Sequence, residues 1–260
     1  MYGALLGDLI GSPWEFNRIK HEQFELFSPA CGYTDDSIMT AAVADALLHG
    51  TDPASAMRAW AQRYKPQRGG YGAIFWVWLN NPDDEPYGSA GNGGAMRVSP
   101  AAMLGKTLEQ VLQLATQVTV VTHDDPMGLN AALATAHAIW LARQQASPTE
   151  IRGALEQCYG YDLSRPYEQV QRECRHSELA LPSVPEALTC ALLSTSFEDC
   201  MRKVVALGGD SDTQCAIAGP VAEMLWGIPA EYMAELRVRV PAAMLEVIDG
   251  LYDGSGAQLG

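Results

Sequence analysis

The stretch TDDSIMTAAVADALL (residues 34–48) decides the fold class. Its first four residues, 34–37, are of the types that cap the N-terminus of a helix. Residues 38–48 are rich in Ala, Met and Leu, which favour helix over strand. Similar capped and apolar stretches recur along the chain, so the sequence predicts an all-α protein.

The same signals recur on both sides of this helix. Further helices are predicted at residues 53–64, 71–79, 108–121, 127–145, from 149 onward, 185–193, 197–207, 213–226 and 241–252. Asp125 and Pro126 are predicted as the N-cap and the first residue of the helix that continues over 127–145. Residues 80–94 are a turn-rich loop with two Pro and four Gly, and residues 160–185 are the least periodic stretch. Because no repeat or linker interrupts the chain, we expect one domain (residues 1–253) of about ten helices, followed by a flexible tail at 254–260.

Composition restricts the class of protein further. The chain has 260 residues, of which 48% are hydrophobic and 18% are charged, so a sizeable core is available and disorder is not expected. The formal net charge of -14 disfavours nucleic-acid binding and anionic membranes. No apolar run approaches the roughly 20 residues of a membrane helix, and residues 1–10 lack the basic lead-in of a secretion signal. Six Cys without a C-x-x-C pair predict free thiols, and we expect a soluble cytoplasmic protein.

Two acidic clusters lie where a loop meets a predicted helix, at residues 34–37 and 208–213. Taken singly, each is explained by helix capping, because carboxylates are stabilised in a helix's first turn. Together they offer carboxylate and hydroxyl oxygens without thiolate or imidazole, a set that suits Mg²⁺ or Mn²⁺ better than zinc. Carboxylates brought together by folding would repel one another strongly without a cation. The pair therefore predicts a metal site.

Two further segments could contact a ligand. The segment GSAGNGGAMR (residues 88–97) has closely spaced Gly that let backbone N–H groups approach a ligand, although a flexible connection has the same composition and the spacing fits neither a P-loop nor a dinucleotide fingerprint. Arg97 is compatible with a phosphate contact or with a salt bridge. His123, at a helix start, is compatible with a structural role or with donation to a sugar or phosphate oxygen.

The opening of the chain also carries a pattern, G-x-x-x-G-D-x-x-G-x-x-x-E, from Gly3 to Glu15. The three Gly make a smooth face that another helix or a ligand can approach closely. Glu15, just beyond this face, is a candidate acid or base, and a solvated glutamate is the alternative.

In their order along the chain, these five segments resemble the ADP-ribosylglycohydrolase family, which includes the dinitrogenase reductase-activating glycohydrolases. The segments are the opening at residues 3–15, the acidic cluster at 34–37, the glycine-rich segment at 88–97, the helix start at His123 and the acidic cluster at 208–213. The resemblance runs from Gly3 to Gly227, and its most specific parts are residues 34–36, 91–97 and 209–213. It implies a compact all-α fold with two Mg²⁺ ions (or Mn²⁺) in a cleft. It also implies an enzyme that removes ADP-ribose from a modified partner, and we expect that enzyme to be a monomer.

The resemblance implies roles for individual residues. The metal ligands would be Thr34, Asp35, Asp36, Asp210, Asp212 and Thr213. The ADP-ribose site would be lined by Ser89, Gly91, Asn92, Gly93, His123 and, through a weaker motif at residues 70–72, Gly72. Glu15 would match the family's acidic residue on a mobile segment over the metals, and Glu15 and Asp36 are the candidates for the catalytic acid and base.

The residue at position 89 bears on which type of ADP-ribosyl linkage the enzyme would cleave. Some arginine-linked relatives carry an Asp three residues before Asn92, where this chain has Ser89. Residues 88–97 are more similar to the branch that cleaves serine-linked ADP-ribose and O-acetyl-ADP-ribose. The adenine-facing aromatic residues of that branch are not matched around Asp84 and Ala90.

Two alternatives remain at this stage. Residues 210–213 have the D-x-D-x-T form of a haloacid dehalogenase-type phosphatase, which needs a parallel sheet with the first Asp at the end of a strand. Residues 204–207 could be such a strand, but no β-α-β alternation follows. The second alternative is a non-catalytic ADP-ribose-binding member of the same fold, and the presence of every expected metal ligand argues against it.

Overall fold

Helices make up most of the protein in the computed structural model, which describes residues 1–82 and 85–255. In this part of the chain they are α1 Tyr2–Gly11, α2 Asp35–His49, α3 Pro53–Arg63, α4 Ala73–Asn80, α5 Gly93–Met96, α6 Ser99–Leu104, α7 Leu108–Thr119, α8 Pro126–Arg143, α9 Pro148–Tyr159, α10 Tyr167–Glu173, α11 Ala180–Leu193, α12 Phe197–Val205, α13 Ser211–Trp226, α14 Ala230–Arg239 and α15 Ala242–Ser255. The β pairing among the described residues is one isolated antiparallel bridge, between Gly91 and Leu179. The all-α prediction is confirmed.

Local chemistry explains where several helices begin and end. The side chain of Thr34 caps α2 by accepting a hydrogen bond from the backbone N–H of Asp36. The sequence placed Asp125 at the N-cap of a helix that starts with Pro126, and α8 begins in this way. Helix α2 ends at Gly50, whose φ of 64° lies in the left-handed region that glycine adopts without strain.

The structure differs from the sequence prediction at several boundaries. Helices α1, α5, α6 and α14 were not predicted as helices, and the irregular stretch at 160–185 contains α10 and the start of α11. The final helix runs to Ser255, two residues into the predicted tail, and residues 256–260 lie outside the described part. The short helices α5 and α6 have four and six residues and are separated from each other by two residues. Periodicity is a weak guide for elements of this length.

Helices α1 and α13 pack backbone to backbone. A Cβ atom added to Gly3 would lie 2.3 Å from the carbonyl oxygen of Gly219, and one added to Gly7 would lie 2.1 Å from the carbonyl oxygen of Cys215. The smooth glycine face predicted at the start of the chain is therefore covered by another helix. All ten residues of α1 are buried, and this pairing brings the acidic residues of both helices into one region.

The core is built from apolar residues of nearly every helix and is continuous through the described part of the chain. All six cysteines are free, and five of them are buried, with Cys158 exposed. Across residues 1–82 and 85–255, no helix combines the length and the apolar character needed to cross a bilayer.

Candidate active site

The N-termini of α2 and α13 meet and bring the two predicted acidic clusters together. Thr34 is the N-cap of α2, and Asp210 is the N-cap of α13. The hydroxyl of Ser211 donates to the carbonyl oxygen of Gly11 at 3.0 Å, which ties the start of α13 to the end of α1. Helix N-termini stabilise negative charge, so both clusters lie where carboxylates are best tolerated.

The carboxylates form two groups that share one residue. Oxygen atoms of Asp8, Asp36 and Asp212 lie within 4.8 Å of one another, and so do oxygen atoms of Glu15, Asp210 and Asp212. Asp212 belongs to both groups. Asp35 borders the same cavity but belongs to neither group.

The predicted threonines contact Asp36. The hydroxyl of Thr34 donates to Asp36 Oδ2 at 3.1 Å, and the hydroxyl of Thr213 donates to the same oxygen at 3.4 Å. Thr213 borders the cavity, whereas Thr34 is fully buried and lies outside the cavity lining. Thr34 therefore reaches the acidic site through Asp36.

Burial and mutual repulsion raise the pKa values of these carboxyl groups. Burial, followed by the negative charge of Asp210, raises the pKa of Glu15 to about 7. Burial raises the pKa of Asp36 and of Asp212 well above the ordinary value, and neighbouring carboxylates raise both further. Such a group of acids is unfavourable unless protons or cations neutralise it.

Buried oxygens without partners make the cluster suitable for a cation. Asp8 Oδ1, Asp36 Oδ1 and Asp212 Oδ1 have no hydrogen-bond donor among the described residues. Buried carboxylate oxygens are normally satisfied, so these three are candidates for metal coordination. The donor set consists of oxygen atoms, which fits a hard divalent cation.

Asp8 was not among the residues predicted for the site. Its Oδ2 accepts hydrogen bonds from the backbone N–H of Thr34 at 2.9 Å, from the backbone N–H of Ser37 at 3.1 Å and from the Ser37 hydroxyl. Asp8 thus caps α2 from a different helix, and burial raises its pKa to about 6. The sequence signal was available, since Asp8 is the one charged residue in the apolar run of residues 1–11.

The glycine-rich loop is fixed on two sides. On one side, the backbone N–H of Ser89 donates to the carbonyl oxygen of Thr122 at 3.2 Å. On the other, the backbone N–H of Asn92 donates to the carbonyl oxygen of Glu178 at 2.8 Å. The side chain of Asn92 also donates to Asp210 Oδ2 at 2.7 Å. The loop is therefore an anchored wall that is bonded directly to the acidic cluster.

A cavity of about 400 Å³ lies between the acidic cluster and this loop. This volume is in the range of small-molecule sites. Twelve of the residues predicted for the site border it: Glu15, Asp35, Asp36, Gly72, Ser89, Gly91, Asn92, Gly93, His123, Asp210, Asp212 and Thr213. The structure therefore brings together segments that are far apart in the sequence.

The cavity is also bordered by residues that the resemblance did not place in the site, among them Phe75, Tyr87, Met96, Arg97 and Glu178. Tyr87 and Arg97 lie at the two ends of the glycine-rich segment, so their positions in the sequence could have identified them as site residues. Glu178 lies in the least periodic stretch and no motif marks it. Asp84, one of the two positions around which the adenine-facing aromatic residues of the serine-linked branch are not matched, lies outside the described residues.

Arg97 is almost completely buried, with 1% of its surface exposed, and forms no salt bridge within the described part of the chain. Its guanidinium lies 5.4 Å from the centroid of the Phe75 ring and donates to the hydroxyl of Thr122. Burial lowers the pKa of Arg97 to about 10, so the side chain remains a cation at neutral pH. The sequence left two roles open for Arg97, a salt bridge or a phosphate contact, and the salt bridge is not formed among the described residues.

The surroundings of Asp210 exclude the phosphatase alternative. That class requires a strand directly before the first Asp of D-x-D-x-T. Residues 204 and 205 instead belong to α12, which ends at Val205. With no strand assigned in residues 1–82 and 85–255, the parallel sheet of that class is missing from the described protein.

Two mammalian proteins and one bacterial protein are similar in sequence to this chain. The mouse and human proteins "ADP-ribosylhydrolase ARH3" are each 29% identical to the chain, with 87% of the chain covered and 82% and 84% of those proteins. The "ADP-ribosyl-[dinitrogen reductase] glycohydrolase" of Rhodospirillum rubrum is 28% identical over 64% of the chain and 58% of its own length.

A solved structure described as "ADP-ribosylglycohydrolase-related protein complex" superposes with a TM-score of 0.72 at 25% identity, covering 98% of this chain and 95% of the other. The family model described as ADP-ribosylglycohydrolase matches residues 1–258. The chain therefore belongs to the ADP-ribosylglycohydrolase family and is a glycohydrolase.

Proposed function

We propose that the protein hydrolyses the bond between ADP-ribose and a modified acceptor, either a protein side chain or the acyl group of O-acetyl-ADP-ribose, and that it requires two Mg²⁺ ions or Mn²⁺. One observation carries this proposal. The two carboxylate groups that share Asp212 form one wall of a cavity whose opposite wall is the anchored glycine loop. Cation ligands and a surface for phosphates thus face the same space.

The residues that would hold the cations are the acids of the two groups. Asp36 and Asp212 offer unpartnered buried oxygens, and Glu15 and Asp210 complete the second group. Asp35 and Thr213 border the same space and would complete the coordination from the N-termini of α2 and α13. When bound, the cations supply neutralisation of the carboxylates and polarisation of ribose hydroxyls.

Glu15 is suited to move a proton at neutral pH. It is half-buried at the cavity wall, and without a bound cation its pKa of about 7 leaves it partly protonated at neutral pH. A carboxyl group in this state accepts a proton from an attacking water or donates one to the leaving atom, as glycoside hydrolysis requires. Asp36 is the other candidate, but its hydrogen bonds with Thr34 and Thr213 fix it within the cluster.

The opposite wall would bind the diphosphate and the sugars. Gly91 and Gly93 border the cavity, and His123 lies directly behind them. Arg97 contributes a buried positive charge at the same wall. Together they explain how a protein with a net charge of -14 can bind a dianionic ligand.

The proposal extends to the linkage. Ser89 borders the cavity and its hydroxyl accepts from the backbone N–H of Gly91 at 3.2 Å. The similarity to the two proteins named ARH3 and the Ser at this position favour serine-linked ADP-ribose or O-acetyl-ADP-ribose over the arginine linkage.

The test is the release of free ADP-ribose, measured with Mg²⁺, with Mn²⁺ and with EDTA. The substrates are matched serine-linked and arginine-linked ADP-ribosyl peptides and O-acetyl-ADP-ribose. We expect cation-dependent release from the serine peptide or the O-acetyl ester. Release that EDTA leaves unchanged would contradict the metal requirement, and binding of ADP-ribose without any release would favour a binding protein.

A further inference from the structure

Three side chains form a hydrogen-bonded chain behind the glycine loop. The Arg97 guanidinium donates to the hydroxyl oxygen of Thr122, and the same oxygen lies 2.7 Å from Nδ1 of His123. Thr122 is fully buried, and His123 has only 4% of its surface exposed. Thr122 therefore cannot exchange these partners for water.

The number of protons decides the direction of the second hydrogen bond. Arginine is a donor only, so the oxygen of Thr122 must be the acceptor in the first bond. Thr122 then has one hydroxyl proton to donate, and its partner within the described residues is Nδ1 of His123. This arrangement satisfies the hydroxyl only when Nδ1 carries no proton.

The other protonation states of His123 leave a buried group unsatisfied. With a proton on Nδ1, the Thr122 oxygen would accept from both neighbours, and its own proton would have no acceptor among the described residues. A buried donor in that state costs about 1–3 kcal/mol. Doubly protonated His123 has the same defect and also places a second positive charge beside Arg97. Burial and the charge of Arg97 lower the pKa of His123 well below its ordinary value, in agreement with a neutral ring.

The remaining ring nitrogen, Nε2, faces the glycine loop. A Cβ atom added to Gly93 would lie 3.1 Å from His123 Nε2, and one added to Gly91 would lie 3.6 Å from it. His123 borders the cavity, and within the described residues no protein group forms a hydrogen bond with Nε2. A donor at this atom is available to a ligand.

We propose that Thr122 is a positioning residue that holds His123 in the neutral tautomer with the proton on Nε2, so that the cavity presents a fixed donor to an oxygen of the bound ligand. The hydrogen bonds run in one direction, from Arg97 through Thr122 and His123 to that oxygen. The contribution to binding rests on the proposed function, whereas the tautomer is a property of the protein alone.

The chain offers a conservative pair and a matched control. Thr122→Val removes the hydroxyl and keeps the shape, and Thr122→Ser keeps the hydroxyl. Thr119→Val is the control, because Thr119 is also fully buried beside the glycine loop, while its hydroxyl has no partner among the described residues. Loss of a buried hydroxyl alone would affect Thr119→Val as much as Thr122→Val.

The first measurement is the ¹⁵N spectrum of the histidine rings in the ligand-free protein, with His123 assigned by comparison with His123→Gln. We expect the Nε2–H pattern in wild type, in Thr122→Ser and in Thr119→Val, and a changed pattern in Thr122→Val. A wild-type pattern with the proton on Nδ1, or an unchanged pattern in Thr122→Val, would overturn the proposal.

The second measurement is the dissociation constant for ADP-ribose. We expect Thr122→Val to weaken binding by about tenfold, the equivalent of one misdirected hydrogen bond, with wild-type affinity in Thr122→Ser and Thr119→Val. Equal affinity in Thr122→Val would overturn the binding role. If wild type showed the Nε2–H pattern but did not bind ADP-ribose, the proposed function would be wrong and the tautomer assignment would stand.

Discussion

Gly219 and Gly3 face each other so closely that a Cβ atom on Gly219 would lie 1.9 Å from the carbonyl oxygen of Gly3. The clash would be with backbone, which cannot move away by changing rotamer. We expect Gly219→Ala to force α1 and α13 apart and to lower the free energy of unfolding by about 1–3 kcal/mol or more. Chemical denaturation followed by circular dichroism measures this change.

Gly153→Ala is the control for this substitution. Gly153 lies inside α9, and a Cβ atom there would meet nothing within 4 Å. Because alanine is the better helix former, we expect Gly153→Ala to stabilise the protein by about 0.5–1 kcal/mol. Equal effects of the two substitutions would show that the α1–α13 contact is not as close as described.

The contact between α1 and α13 also shows how much of the fold could be predicted from sequence. The spacing of Gly3, Gly7 and Gly11 predicted a surface for close approach, but did not identify α13 as the partner. Such partners depend on the whole fold, whereas capping depends on adjacent residues. The caps at Thr34 and Asp125 were accordingly predicted correctly.

The same distinction applies to the site. The acids at the starts of α2 and α13 were predicted because short motifs contain them. Asp8 was missed because its role depends on hydrogen bonds to Thr34 and Ser37, which lie 26 and 29 residues away in the sequence. Glu178 was missed because it reaches the cavity through an isolated bridge next to the glycine loop, which leaves no periodic pattern.

Asp212→Asn changes the residue that both carboxylate groups share. In EDTA we expect this variant to be more stable than wild type at pH 7.5, because one buried negative charge is removed from the cluster. In Mg²⁺ we expect the reverse, with cation affinity weakened by about tenfold or more and release of ADP-ribose reduced by a larger factor. Thermal unfolding and calorimetric titration with Mg²⁺ measure these effects.

Because the effect of Asp212→Asn on stability is expected to have opposite signs in EDTA and in Mg²⁺, the substitution tests specifically for a cation site. Asp253→Asn is the control, since Asp253 is exposed on the last helix and should change neither quantity. An Asp212→Asn protein that is less stable than wild type in EDTA as well would indicate a purely structural acid.

The metal-free protein should lose stability as the pH rises. Folding raises the pKa of Glu15 from 4.5 to about 7 and that of Asp8 from 3.8 to about 6. The folded state then binds more protons than the unfolded state between these values, so the free energy of unfolding falls as the pH increases through this window. Added Mg²⁺ competes with the protons, so its stabilising effect should increase over the same window.

Melting temperatures at pH 5 to 8, with EDTA and with saturating Mg²⁺, measure both trends. Glu15→Gln should flatten the EDTA profile near pH 7 and leave the part near pH 6. A profile in EDTA that rises from pH 5 to pH 7 would contradict the raised pKa values.

Glu15→Gln should also separate chemistry from binding. The amide cannot exchange a proton, so we expect turnover to fall by about 100-fold to 10,000-fold. At saturating Mg²⁺, ADP-ribose affinity should fall by much less than turnover, because Asp36, Asp210 and Asp212 remain to hold the cations and the glycine loop is untouched. Rates of ADP-ribose release and calorimetric binding give the two quantities.

Glu25→Gln is the matched control on the same irregular segment, where Glu25 is exposed. It should retain wild-type turnover. Turnover of Glu15→Gln within a few-fold of wild type would assign the proton transfer to another group, with Asp36 as the next candidate.

Asn92→Asp places a further carboxylate against the cluster. Asn92 is 5% exposed, and its amide nitrogen donates to Asp210 Oδ2 at 2.7 Å and to the Ser183 hydroxyl at 3.0 Å. The substitution replaces a hydrogen bond with repulsion between two buried acids, so in EDTA at pH 7.5 we expect a lower melting temperature than that of wild type. Because a cation neutralises the added charge, Mg²⁺ should raise the melting temperature of Asn92→Asp by more than it raises that of wild type. Asn17→Asp is the control, because it adds the same charge at an exposed position, and Mg²⁺ should raise its melting temperature by as much as that of wild type. An equal rise in wild type, Asn92→Asp and Asn17→Asp would mean that the cation does not bind next to Asp210.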